Sequence, residues 1–194
     1  MKKWLSISVA VLLIILVGGW AVRHYLDRHD ANGVVLVGDK ISVQSDIEKQ
    51  KNNLKSNVMY NVKLVEAEGQ KVLVIDKETA KGLVKMALLQ KITNSQNGDT
   101  AELTSLPEFG DKKGVLFAKT QKDQLPLING NGMDFQYGGN VIIGPGRSFA
   151  DMIAVVDSST FLLLNGKELG LGVLQLKDLN QQFTTREVQT VTVK

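Results

Sequence analysis

Residues 5–22 read LSISVAVLLIILVGGWAV, and the architecture of the chain turns on how this stretch is read. It carries no charge and is dominated by Leu, Ile, Val and Ala. At about 1.5 Å per residue it makes a helix of roughly 27 Å, close to the ~30 Å hydrocarbon core of a bilayer. A buried helix of a water-soluble protein would show a polar face, and this one shows none. Trp4 and Trp20 are the only tryptophans and stand near its two ends, where indoles favour the interface.

The expectation is a transmembrane signal-anchor. Residues 1–4 are then a short cytoplasmic N-terminus and residues 5–22 the membrane-spanning helix. Residues 23–33 become a juxtamembrane linker carrying Arg23 and Arg28, and residues 34–194 an extracytoplasmic domain. The competing reading is a cleaved signal peptide and a secreted binding protein. A basic start, an apolar middle and small residues at Gly19 and Ala21 all fit it. The apolar run is longer than the ~7–15 residues usual for such peptides.

The chain has no cysteine. That removes disulfides, thiolate metal sites, thiol nucleophiles and the lipidated cysteine of a mature lipoprotein. An extracytoplasmic domain without disulfides leans towards a Gram-positive bacterium. The formal net charge is +3. Four Lys/Arg and two Asp fall in the first 30 residues, leaving 19 basic and 18 acidic residues in the remainder. So even a balance gives no case for nucleic acid, which needs positive charge clustered on one face.

Catalytic chemistry is narrowed by what is missing. His24 and His29 are the only histidines, and both precede the domain. The domain therefore holds neither a Ser–His–Asp triad nor a zinc site with histidine ligands. No Ser-x-x-Lys signature occurs. Gly139 and Gly144 begin like a phosphate-binding loop, but Pro145 stands where the lysine must be. Carboxylate pairs remain: Glu66 with Glu68, Asp151 with Asp157, and Asp99 with Glu102. A glycosidase needs two such groups about 5 to 9.5 Å apart across a sugar cleft, and a domain without tryptophan is poorly equipped to stack sugars. No catalytic, cofactor-binding or metal-ligating residue is assigned.

Residues 34–37 read as a first strand ended by Gly38-Asp39. Ser45 and Glu48 fit a capping box before a polar stretch that is either a short helix or a loop. Residues 57–66 alternate in the manner of a half-buried strand, and residues 71–76 form its hairpin partner across a loop of about four residues. Residues 78–93 read as the main helix, with Ala80, Leu83, Val84, Ala87 and Leu88 as the buried stripe. Lys77, Lys81 and Lys85 form a solvated row, and Gly82 permits close packing. The glycine-dense stretch 129–146 reads as hairpin turns around a strand at 141–143, with Pro145-Gly146 in a type II turn. Residues 149–156 are assigned as strand. Asn165-Gly166 between apolar runs predicts a type I′ hairpin that lays Phe161 over Gly170. Gly170 and Gly172 share one side of their strand, so something packs closely there. Residues 187–193 alternate and form the last strand.

The resulting fold is α+β: an N-terminal transmembrane helix, then one soluble domain with an antiparallel sheet built from hairpins and one main packed helix. The function that fits is a membrane-anchored, non-catalytic binding protein of a bacterial cell envelope. Its partners are the lipid bilayer, through residues 5–22, and a protein or envelope polymer. The alternative to it, besides secretion, is an envelope enzyme working with carboxylates alone.

Overall fold

Thirteen strands and three short helices follow one another in a computed structural model that describes residues 31–128 and 131–194. In chain order they are β1 (Gly33–Gly38), α1 (Lys40–Lys49), β2 (Leu54–Ala67), β3 (Gln70–Asp76), α2 (Lys77–Lys85), β4 (Leu89–Asn94) and β5 (Asp99–Glu102). Then come β6 (Gly114–Phe117), β7 (Gln124–Ile128), β8 (Asn131–Asp134), β9 (Gln136–Gly139), β10 (Val141–Ile143), β11 (Met152–Val156), α3 (Ser158–Leu163), β12 (Lys167–Leu176) and β13 (Glu187–Val191). The anchor expected at residues 5–22, the segment 1–4, most of the linker and the turn Asn129-Gly130 lie outside the described residues. Among the described residues no helix is long and apolar enough to cross a membrane.

The domain is α+β, mostly sheet with few helices. Its main sheet has eight strands in the order β13-β1-β12-β2-β3-β11-β6-β9. It is mixed rather than purely antiparallel: β11 runs parallel to β3, and β9 parallel to β6. The β11 strand reaches β3 by a long crossover, which hairpin reading from sequence does not generate.

Both faces of this sheet are covered. On the back, Val62, Leu73, Ile75, Val115, Phe117 and Leu171 meet α2 through Ala80 and Leu83, and meet the small sheet β10-β4-β5 through Leu89 and Val141. On the front, α1 lays Val43 and Ile47 on Val34, Leu36 and Leu174. Further along the same face, α3 and the β7–β8 pair cover Val72, Val74, Leu116 and Ala154 with Phe161, Leu125 and Met133.

Several expectations hold. A Cβ on Gly170 would lie 2.7 Å from the Met59 Cε and 3.4 Å from the Lys40 Cα, so the two glycines of β12 admit α1 at close range. A Cβ on Gly82 would collide with the Tyr60 hydroxyl, so this glycine does let α2 sit tightly on β2.

Others are corrected. The helix predicted over 78–93 stops at Lys85, and residues 89–94 form β4. Asp39, not Ser45, caps α1, accepting from Ile41 N at 2.9 Å. The Asn165-Gly166 hairpin does not form: residues 158–163 are α3, and Phe161 packs with Leu116 and Val74 instead of over Gly170. The expected β2–β3 hairpin forms, but its loop is two residues and not about four: Glu68 (φ 53°) and Gly69 (φ 73°), both in the left-handed region, with Ala67 facing Gln70. At the other glycine-rich turn Ile143 bridges Gly146 and Gly144 has φ 62°, so the central pair is Gly144-Pro145.

Candidate interaction site

The front face leaves an open groove beside α1, over β2. Its floor includes Met59, and the α1 side chains Lys40, Ile41, Gln44, Ser45 and Glu48 form one wall. Register explains the placement. Asn61 of β2 faces Gly170 and Met59 faces Gly172, so β12 presents no side chain to fill the space beside them.

Further along the same face, Asp157 caps α3, accepting from Thr160 N at 2.7 Å and from the Ser159 hydroxyl at 2.5 Å. The Ser159 hydroxyl and the Thr160 amide hold the Asp157 carboxyl down to about 2. The other end is closed by a residue distant in sequence. Buried Lys63 donates to the carbonyls of Phe161 and Leu164, both at 2.8 Å, and more weakly to Leu162 at 3.4 Å. The last carbonyls of a helix have no partner within it, and a cation there also meets the negative end of the helix dipole. Six residues alone would be marginal as a helix; two tethers make α3 stand.

One carboxylate links α1 to the lysine that holds α3. Glu168 faces Lys63 across the β12–β2 ladder and pairs with Lys40 at 2.7 Å. The hydrogen bond from Lys40 is the main cause of the lowered Glu168 carboxyl, with Lys63 adding to it. Behind α1, Asp46 is 1% exposed. It accepts from Thr184 N at 2.9 Å, from Thr185 N at 2.7 Å and from the Thr185 hydroxyl at 2.7 Å. Burial alone would push its carboxyl up, but these bonds outweigh burial and hold it down. They fasten the segment before β13 to the back of α1.

Both helices leave large apolar side chains in solvent. Ile41 is 80% exposed, Leu162 77% and Leu163 72%, the large hydrophobic side chains left in solvent among the described residues. All three stand at the Gly38 end of β1, away from Asn32, where the chain arrives.

The carboxylate pairs named from sequence do not form a reacting pair. Asp151 and Asp157 flank opposite ends of the five-residue β11, about 20 Å apart along the strand. Asp151 accepts from Lys71 N, and Asp157 is occupied as a cap. Glu66 is exposed, while Glu68 is paired with Lys122 at 2.5 Å. Glu102 is exposed and paired with Lys194. The small pocket beside Leu73, Phe149 and Ile153 has about 10 Å³, room for roughly one water. Among the described residues no three His, Cys, Asp or Glu come together to hold a metal.

Sequence reasoning missed Asp46 and Lys63 because their partners lie 138 and 98 or more residues away. It missed the exposed leucines because residues 161–164 were placed in a strand. Asp157 followed by Thr160, an Asx cap, was the signal available.

Known proteins are consistent with this architecture. A family model described as an uncharacterised lipoprotein family matches residues 31–194. A crystal structure of a candidate lipoprotein from Bacillus anthracis is 28% identical, covers 84% of this chain and 100% of its own, and superposes with a TM-score of 0.75. No curated protein matches.

Proposed function

Because the chain belongs to the uncharacterised lipoprotein family, we propose that it is a non-catalytic interaction protein of a bacterial cell envelope, held at the outer side of the cell membrane. A lipoprotein is held by acyl chains on a cysteine, and none of these residues is cysteine. Residues 5–22 replace that attachment by crossing the bilayer as a single helix. The domain that follows carries the exposed apolar side chains of α1 and α3, which receive an apolar segment of a partner protein.

The observation that carries this reading is the exposure of Ile41 on α1 and of Leu162 and Leu163 on α3. Full burial of such a side chain is worth about 1.5–3 kcal/mol, a gain the isolated domain forgoes at three positions. The strongest interface energies come from apolar anchors that fill pockets, and a floor containing Met59 is an adaptable one.

A photo-crosslinking residue placed at 41 or at 163 in living cells tests it. One protein is expected to be captured from both positions and not from exposed Lys119, with capture lost in Leu162→Glu. Equal capture at all three positions would refute this surface. Fractionation with N-terminal sequencing tests the anchor: intact product in the membrane is expected, and release after Ala21 would refute it.

A further inference from the structure

Among the Asn-Gly pairs of this chain the one at 97–98 stands apart, and we propose that Asn97 is a site of covalent self-modification, its side-chain amide converted to a carboxylate by the amide of Gly98. The chemistry belongs to the dipeptide. The glycine nitrogen attacks the asparagine side-chain carbon Cγ. A new N–Cγ bond forms, the Cγ–Nδ2 bond breaks, and the proton of the attacking nitrogen leaves with Nδ2 as ammonia. A five-membered succinimide remains. Water opens it at either carbonyl, giving aspartate or an isoaspartate joined through Cβ. Glycine in second place leaves the attacking nitrogen unshielded.

Three conditions govern the attack. The glycine N–H must be free of a hydrogen bond, the side-chain amide must be free to turn, and the backbone needs room to swing. Reacting groups already held side by side then react as one molecule. Asn97 and Gly98 meet all three. Both are exposed, in the turn between β4 and β5. The turn is pinned on its N-terminal side, where Asn94 Oδ1 accepts from Gln96 N at 2.9 Å and from Asn97 N at 3.3 Å. Those bonds leave the reacting groups alone. Among the described residues neither the Asn97 side-chain amide nor the Gly98 N–H has a hydrogen-bond partner. Gly98 has φ 71°, and a Cβ built on it would meet nothing within 4 Å.

Other Asn-Gly pairs are restrained. Asn32 Nδ2 donates to Val193 O at 2.9 Å, and Asn32 Oδ1 accepts from Val193 N at 2.7 Å. Gly33 lies in β1 between β12 and β13, where a Cβ would stand 2.5 Å from Leu174 O. At Gly166 a Cβ would stand 2.8 Å from Val65 Cγ2 and 3.2 Å from Leu64 O, so β2 blocks the swing. Reaction at 32 or 165 therefore waits for local opening, and its rate falls by the opening constant. The product at 97 sets a new negative charge near Asp99. As isoaspartate it also adds a backbone carbon beside the paired Asn94 and Asp99. The small sheet covers the back of the domain, so the exposed side chains of α1 and α3 on the front keep their surroundings.

The test holds the full-length chain in mild detergent and warm, weakly alkaline buffer. Peptide mapping by mass and retention follows Asn32, Asn97 and Asn165, and methyl labelling by an isoaspartyl methyltransferase reports isoaspartate. In the folded protein, conversion at Asn97 is expected at least about 10-fold faster than at Asn32 or Asn165. In urea the three rates are expected to converge, because opening no longer separates them. Asn97→Gln is expected to remove the fast-forming acidic variant, since glutamine must close a slower six-membered ring. Equal rates at Asn97 and Asn32 in the folded protein, or a gap just as wide in urea, would overturn the proposal.

Discussion

The ammonium of Lys63 donates to the carbonyl of Phe161 at 2.8 Å and stands 5.0 Å above the ring of the same residue. A cation on the central strand thus holds both the backbone and the side chain of α3. Lys63→Met keeps the aliphatic stem and removes the charge, leaving the Phe161 and Leu164 carbonyls without that donor. Hydrogen bonds to charged groups contribute about 1.5–3 kcal/mol, offset in part by the cost of burying an ammonium. We expect a loss of about 2 kcal/mol in urea unfolding. We also expect faster hydrogen exchange at Leu164 N than in β12, because α3 opens before the sheet.

Asp46 makes stability fall in acid. Its folded pKa lies below the unfolded value of about 3.9. Its contribution is therefore present above that value and disappears as pH falls through the folded pKa. Asp157, held at about 2, acts with the same sign. Thermal midpoints are expected to hold above about pH 5 and to drop between about pH 4 and 2. Asp46→Asn should cost about 2–3 kcal/mol near neutrality, since an amide places a donor against Thr184 N and Thr185 N. Its acid drop should be shallower than that of the parent. An unchanged acid slope would refute the role assigned to Asp46.

Gly82 and Tyr60 form a matched pair across the α2–β2 contact. Gly82→Ala gains about 1 kcal/mol of helix propensity yet forces its methyl into the Tyr60 hydroxyl. Overpacking costs about 1–3 kcal/mol, so net destabilisation is expected. Adding Tyr60→Leu should rescue part of it, with a coupling above about 0.5 kcal/mol in a double-mutant cycle. Strict additivity would mean that the two do not touch.

Local pattern made some elements legible and left others hidden. Strands β2, β3, β11 and β13 announce themselves through period-two or continuous β-branched runs, and the two glycines of β12 disclose the close approach of α1. The run at 161–164 is wholly apolar and carries no period, so it fits strand and helix alike. What settles it is the pair of caps, Asp157 from nearby and Lys63 from across the sheet. The exposed Leu162 and Leu163 were hidden for the same reason, since they sit on α3. The end of α2 was missed because its stop signal is not a glycine.

That stop is the basis of the last prediction. After α2, Leu88 N donates to Leu83 O and Ala87 N to Val84 O, both at 2.9 Å, the paired bonds of a Schellman motif. Ala87 takes the left-handed position with φ 58°, where glycine is normally found. An alanine there costs about 1–2 kcal/mol of backbone strain. Ala87→Gly relieves the strain but gives up a buried methyl worth about 0.8 kcal/mol. The net expectation is between no change and about 1 kcal/mol of stabilisation. The same substitution at Ala80, buried inside α2, meets no strain and loses both packing and propensity. It should cost 1 kcal/mol or more, at about the helix-interior rate. Chemical denaturation of the two variants side by side decides it. If Ala87→Gly is as damaging as Ala80→Gly, the helix does not end where the backbone places its turn, and residues 86–93 continue it after all.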